Sequence, residues 1–550
     1  MRSRLESAWL TGAAPATLAW TYNNDFAPTS FTYAGGTQTY AYDADGLLTS
    51  AAPFTIARRA DNALPTSVSA PGFALSRTYS PYGEIDSADW GAYSYTLSRD
   101  TAGRITQKAE ECSGTVSTWG YAYDTLGRLT GVTLNGELAE SYGYDTQGNR
   151  TEVRVPLRGI DTTMSASFDT EDRATDVGDA TYTYTPDGYL AAKHSAEGTA
   201  TYAYTAFGEL ARVELPGGRV VTYTYDASGR RTSKAIDSAV AERYVWADTT
   251  RLLAVMDGAG TLKARFLYAD ARVPYAADTP EGRIFFAFDQ VGSLRAVTDE
   301  DGSVLKAVAH DSFGNVIEDS NPALEVPLGF AGGFADRDTG LVLFGARDYD
   351  PELGRWIAKD PIGFAGGDAN LYGYCLGDPV GLVDPSGLYA DAHGGTGPTV
   401  CPDEQPQSAY SSLQSEEAFR TPTGSPVAMP FNYYQDFNLS TRGVTTGVIW
   451  NRTDFGHRTE SVYWYFGGAH GVSWPPWGSA SVMYHEGRTA PGLYVENSGG
   501  AVGGAAVGTQ IYDSESGRFT AENYTQEGGS TPSFGGQVFN VFSWDLAGLF

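Results

Sequence analysis

The chain has 550 residues, with 37 Lys and Arg against 66 Asp and Glu and a formal net charge of -29. So large a negative field repels phosphates and argues against a nucleic-acid-binding surface over most of the chain. The 41% of hydrophobic residues suffices for a folded core, and no apolar run approaches the length of a membrane-spanning helix.

The first twenty residues, MRSRLESAWLTGAAPATLAW, include Glu6 and no long apolar stretch, so no signal peptide is read there. Cys112, Cys375 and Cys401 are scattered and odd in number, which fits neither a disulfide framework nor a zinc ligand set.

A repeat then takes over. YAYDADGLLTS (40–50) returns as YAYDTLGRLTGVTL (121–134), YGYDTQGNRTEV (142–153) and YTYTPDGYLAAK (182–193). It returns again as YAYTAFGELARV (202–213) and YTYDASGRRTSK (223–234), with looser copies at 93–108 and 286–308. Alternate tyrosines place two rings on one face of a strand. Asp followed by a Gly at positive φ closes a tight turn, and the Arg-Leu-Thr run opens the return strand. Each copy, about twenty residues, is one β-hairpin. A lone hairpin buries too little surface to persist, so the copies must stack into one long sheet. Tyrosine ladders across neighbouring strands would contribute a few tenths to about 1 kcal/mol per pair. The sheet is expected to curve without a compact central core, its concave face lined by repeat tyrosines. An ordinary β-sandwich is the alternative, but sandwiches do not repeat a turn sequence in this way.

From Gly333 the chain reads GFADRDTGLVLFGARDYDPELGRWIAKDPIGFAGGDANLYGYCLGDPVGLVDPSGL, ending at Leu388. DPIGF and DPSGL place Asp360 and Asp384 24 residues apart (384 − 360). Asp-Pro-x-Gly is a near-ideal type I turn, so spacing alone is satisfied by two plain turns. The alternative is a pair of carboxyls held together. Such a pair keeps one proton, letting one member activate water while the other polarises a carbonyl.

Composition changes at Leu388. Residues 389–430 are polar and rich in Gly, Pro and Ser, and read as a flexible leader. Beyond them, GVTTGVIWNRTDF, ESVYWYFGG, SASVMYHEG, VGTQIYD and RFTAENYT are strand-like runs between Gly-rich turns, with a hairpin around Ser514–Gly517. A small Gly-rich β-domain is expected. Asp454, His457, Glu460, His485 and Glu486 could assemble a metal or acid/base site, although surface histidines in β-turns explain them more simply. No HExxH, CxxC or nucleophile elbow is present.

The YxYDxxGR units resemble YD repeats of the Rhs family, which includes C components of insecticidal toxin complexes and the YD shells of teneurins. The 333–388 segment closely resembles the Rhs repeat-associated core, and together the resemblance covers roughly residues 15 to 388. It implies an all-β fold, with hairpins wound into a hollow cocoon-like shell around a C-terminal cargo. The implied domains are a YD-repeat shell (1–332), the core with an aspartyl autoprotease motif (333–388), a leader (389–430) and a variable cargo or toxin domain (431–550).

In such families an aspartate pair cuts the chain just after the second motif. Carried over, the pair is Asp360 and Asp384, and the bond is Leu388–Tyr389. The arginine of GARDYDP that the family implicates is Arg347, whereas Asp350 and Arg355 read as turn and packing residues. No cofactor is implied. The implied partners are the chain's own C-terminal segment, a plug or shell-completing partner at the N-terminal end, and an immunity protein. Delivery by a secretion or injection system, or residence at a cell surface, is the implied localisation. Two other readings stay open: a teneurin-like adhesion shell without toxin activity, and a non-enzymatic membrane-active β-domain as the cargo.

Overall fold

The computed structural model describes residues 17–391 in full, together with the backbone of Ser7–Leu10, of Ala16 and of six strands between Val444 and Glu522. Residues 1–405 form one compact unit and residues 406–550 a second.

The first unit holds one antiparallel sheet of 31 strands, from Ser7–Leu10 to Val316–Asp319. Every strand pairs with its immediate neighbours in sequence, as in the runs Thr115–Tyr123, Leu129–Leu134 and Glu137–Tyr144. There is no α-helix among the described residues.

The turn at Asp124 shows why the repeat folds as it does. Asp124 Oδ1 accepts the amides of Leu126 and Arg128, each at 2.9 Å. Its Oδ2 accepts Arg128 Nε at 2.7 Å. Gly127 closes the turn at φ 86°, a conformation that costs an L-residue about 1 kcal/mol or more. A bulge between Ala122 and Tyr123 restores the pairing on the return strand. The same Asp–Arg clamp recurs at Asp100/Arg104, Asp169/Arg173 and Asp226/Arg230.

The repeat tyrosines do not form simple ladders. The alternating pairs recur on every second strand, roughly 9–10 Å apart, although Tyr189, from the turn between two of them, stacks on Tyr204 at 4.8 Å. Arginine from the turn between fills that space: the Arg128 guanidinium lies 4.7 Å from the Tyr144 ring centroid, and that of Arg104 lies 5.2 Å from Tyr123. The tyrosine hydroxyls reach back one hairpin, Tyr123 to Ile105 O, Tyr144 to Leu129 O and Tyr225 to Leu210 O, each at 2.8 Å.

The sheet is continuous, as expected, but it does enclose a compact core, contrary to expectation. Side chains from Phe54 to Val155 and from Tyr244 to Phe313 share one buried apolar cluster. Arg77–Asp270 (2.9 Å) and Arg295–Glu110 (2.9 Å) cross within it. A sheet with one apolar face cannot leave that face in water, so distant stretches of the strand ribbon cover each other.

The segment from Phe334 adds a small four-stranded sheet: Phe334–Ala335, Val342–Phe344, Arg347–Asp350 and Arg355–Trp356. Phe330, Phe344, Tyr349, Trp356 and Tyr374 pack as one aromatic group behind it. Polar contacts fasten this segment to the long sheet: Asp348 to Arg231 at 2.8 Å, Asp336 to Tyr223 at 2.8 Å, and Tyr372 to Gly188 O at 2.6 Å.

The second unit has six strands paired antiparallel in chain order, Val444–Asn451 through Arg518–Glu522. Asp513 pairs with Arg518, so the expected hairpin is present. The strand Gly492–Gly499 is one that the sequence reading did not single out, because glycine and asparagine obscure its alternation.

Candidate functional site

Both Asp-Pro-x-Gly stretches are turns. Asp360 O accepts Gly363 N at 3.0 Å, and Asp360 Oδ1 accepts Ile362 N at 2.9 Å. Asp384 O accepts Gly387 N at 3.3 Å, while Asp384 Oδ1 accepts Ser386 Oγ at 3.1 Å and Leu388 N at 3.0 Å. The turn reading and the paired-carboxyl reading are therefore compatible, since the turns aim the remaining oxygens at one cation.

That cation is Arg347, at the start of the strand Arg347–Asp350. Its Nη2 lies 3.0 Å from Asp360 Oδ2 and 3.2 Å from Asp384 Oδ2. Nη1 donates to Leu371 O at 3.3 Å, Nε donates to Gly387 O, and the guanidinium carbon sits 4.2 Å from the Trp356 ring centroid. The three side chains are 4%, 9% and 4% exposed for Arg347, Asp360 and Asp384.

Burial raises both carboxyls above their ordinary range, and Arg347 pulls each back. Burial also lowers Arg347, but a guanidinium stays charged at any pH of interest. Two ionised carboxylates around one cation would leave net negative charge in a mostly dry site. That imbalance favours a proton on one of the two carboxyls.

The Leu388–Tyr389 peptide runs past this group. Leu388 N–H donates to Asp384, and the Tyr389 backbone N–H also stabilises that carboxylate. On the other side stands Gly366. The point where a Cβ on Gly366 would sit is 2.6 Å from Leu388 O and 2.7 Å from Asp360 Oδ2. The carbonyl and the Asp360 carboxyl thus border the same gap. Beyond the peptide, Val383 and Asp391 exchange backbone hydrogen bonds at 3.0 and 2.7 Å, closing the loop that carries Leu388. Tyr389 is 41% exposed, so water can approach from its side.

Asp350 and Arg355 stand apart from the dyad's contacts. Asp350 Oδ1 accepts the amides of Glu352 and Leu353 in a turn. Arg355 is buried against Phe168 and Tyr372 and bonded to Asn370 at 3.3 Å. Sequence reading passed over Ser386, Trp356 and Gly366. The Gly-Gly pair at 366–367 was the available signal for the last of these. Asp454, His457, Glu460 and Glu486 of the second unit lie outside the described residues, and of His485 only the strand backbone, Gly478–His485, is described. Among the described residues no group of three or more His, Cys, Asp or Glu side chains could hold a metal ion.

A family model described as Teneurin YD-shell matches residues 5–372. Teneurin-3 of Danio rerio is 30% identical over 315 residues, covering 53% of this chain and 11% of that protein. The tRNA nuclease WapA of Bacillus subtilis (strain 168) is 26% identical over 272 residues, covering 48% of this chain and 12% of that protein. A solved structure of the Photorhabdus luminescens Tc holotoxin pore aligns at a TM-score of 0.57 and 17% identity, over 71% of this chain and 22% of that one. A crystal structure of TcdB2-TccC3 aligns at the same TM-score and identity, over 68% and 22%. The chain spans about a tenth of the length of the curated relatives that it matches.

Proposed function

The chain belongs to the teneurin YD-shell family, and on that premise we propose that it is the shell of an Rhs-type toxin that cuts itself after Leu388. The observation that carries this reading is the single Arg347 nitrogen holding Asp360 and Asp384 beside the Leu388–Tyr389 peptide. Asp360, bordering the Leu388 oxygen, keeps the proton and polarises the carbonyl. Asp384, ionised and next to the two amides, takes a proton from water as its oxygen adds to Leu388 C. Collapse of the tetrahedral adduct breaks the C–N bond, and the proton passes to the Tyr389 nitrogen. The products are a Leu388 carboxyl and a Tyr389 amine. Arg347 supports the developing oxyanion electrostatically.

The long sheet encloses the segment after Leu388 as cargo until delivery, by secretion or injection, to a target cell. Similarity to a tRNA nuclease and to Tc toxin components supports a toxic cargo. The 30% identity to Teneurin-3 favours a second reading, a cell-surface shell without a toxin. Asp360→Asn and Asp384→Asn decide between them. Each keeps its turn but removes proton exchange, so both variants are expected to stay whole on a denaturing gel while the wild type yields two bands. If both variants are cut like the wild type, the dyad has no part in cleavage. If none of the three chains is cut, the second reading gains.

A further inference from the structure

Gly366 belongs to the short 3₁₀ turn Gly363–Gly366, which directly follows the Asp360 turn. Its φ is not in the positive region, unlike those of Gly363 (58°) and Gly367 (86°) on either side. The backbone therefore makes no conformational demand for glycine at 366. Space does. A Cβ there would meet Leu388 O at 2.6 Å, Asp360 Oδ2 at 2.7 Å and Asp360 Cγ at 3.3 Å, and real Cβ atoms essentially never approach within 3.0 Å. Neither neighbour can withdraw freely. Asp360 is held by Arg347 at 3.0 Å and by the Ile362 amide at 2.9 Å. Leu388 is held through its own amide to Asp384 at 3.0 Å, and Gly387 O beside it accepts from Arg347.

We propose that Gly366 is a positioning residue for the self-cleavage: its bare Cα lets the Leu388 carbonyl and the Asp360 carboxyl close on each other, and any side chain holds them apart. The inference rests on the cleavage reading above and adds the third wall of that site. It also assigns the two carboxyls different neighbours, Asp360 the carbonyl oxygen and Asp384 the amide side.

The test is Gly366→Ala in the full-length chain, with Ala365→Ser as the neighbouring control, following self-cleavage against pH and thermal unfolding of each protein. Displacement of a reacting group by about 1 Å can cost on the order of 100-fold in rate. The expected result is a loss of that order in Gly366→Ala, with an unchanged unfolding transition and an unimpaired control. The pH profile adds the decisive readout. Loss of rate as pH rises and the acid ionises should be clear in the wild type and flattened in Gly366→Ala, because the carbonyl no longer meets its acid. Cleavage within about twofold of wild type would overturn the proposal. So would a slower reaction with the wild-type pH profile, which would mean a merely structural role. An uncut wild-type chain would remove the cleavage reading itself and this proposal with it, whereas a cut wild type with an equally cut variant removes this proposal alone.

Discussion

Arg347 serves two carboxyls, two carbonyls and a tryptophan face at once, which only a planar guanidinium can do. Lysine offers one compact charge and cannot span Gly387 O and Leu371 O while balancing both acids. Arg347→Lys is therefore expected to slow self-cleavage by on the order of 100-fold, measured as the half-time of fragment appearance. A half-time unchanged by the substitution would mean that only the charge matters. Elsewhere, Glu140 is buried without a cation in contact. It accepts Tyr142 OH at 2.7 Å and Ser312 N at 3.1 Å, and burial, with Asp311 adding to it, pushes its carboxyl up to about 7. A carboxyl raised on folding binds more protons in the native state, so stability falls as pH climbs from the ordinary range toward 7. Glu140→Gln should change little near pH 4 and stabilise by roughly 1–3 kcal/mol near pH 8, read from urea midpoints at the two pH values. Equal effects at both would show that Glu140 ionisation is not what the fold resists.

At the scale of one hairpin, the Asp of each repeat does more than begin a turn. Asp124 ties two amides, its own Arg128 and, through Arg128 Nη1 to Asp145 O at 2.8 Å, the next turn. Asp124→Ala should cost about 1–3 kcal/mol by leaving those donors without their acceptor. Replacing an exposed turn residue, as in Thr125→Ala, should fall within about 0.5 kcal/mol of wild type. Chemical denaturation of the two variants checks the contrast, and equal midpoints would refute the clamp. The hairpin was legible in the sequence because its signals are local: alternating Tyr, then Asp, Gly and Arg at fixed offsets. Asp172 illustrates what was not. It takes the positive-φ position at 61° that glycine holds elsewhere, and its compensations, Asn149 at 2.7 Å and Arg355 at 2.5 Å, come from distant chain. The buried inner face was missed for the same reason. Tyr33 reaches Phe266 O and Gln38 reaches Tyr268 O, pairings more than 200 residues apart that no periodicity announces. The dyad itself was visible as two Asp-Pro-x-Gly turns. Gly366 was signalled only as one of the Gly-Gly pair at 366–367, since nothing in the spacing says which glycine meets a carbonyl.

On the proposed function the whole sheet is a container and the bond after Leu388 its outlet. The container prediction concerns access. In the intact protein the segment after Leu388 should resist protease and become sensitive once denaturant opens the sheet. Ready digestion of that segment while residues 17–391 stay whole would place it outside and remove the enclosure. The cut is the more direct test. Purified full-length protein, kept under native conditions and then denatured, should present a new N-terminus at Tyr389 when its fragments are mapped by mass spectrometry, and no other new N-terminus in comparable yield. A chain that remains uncut over days, or one opened at a different bond, would contradict the claim that Asp360, Asp384 and Arg347 form a self-cleaving site.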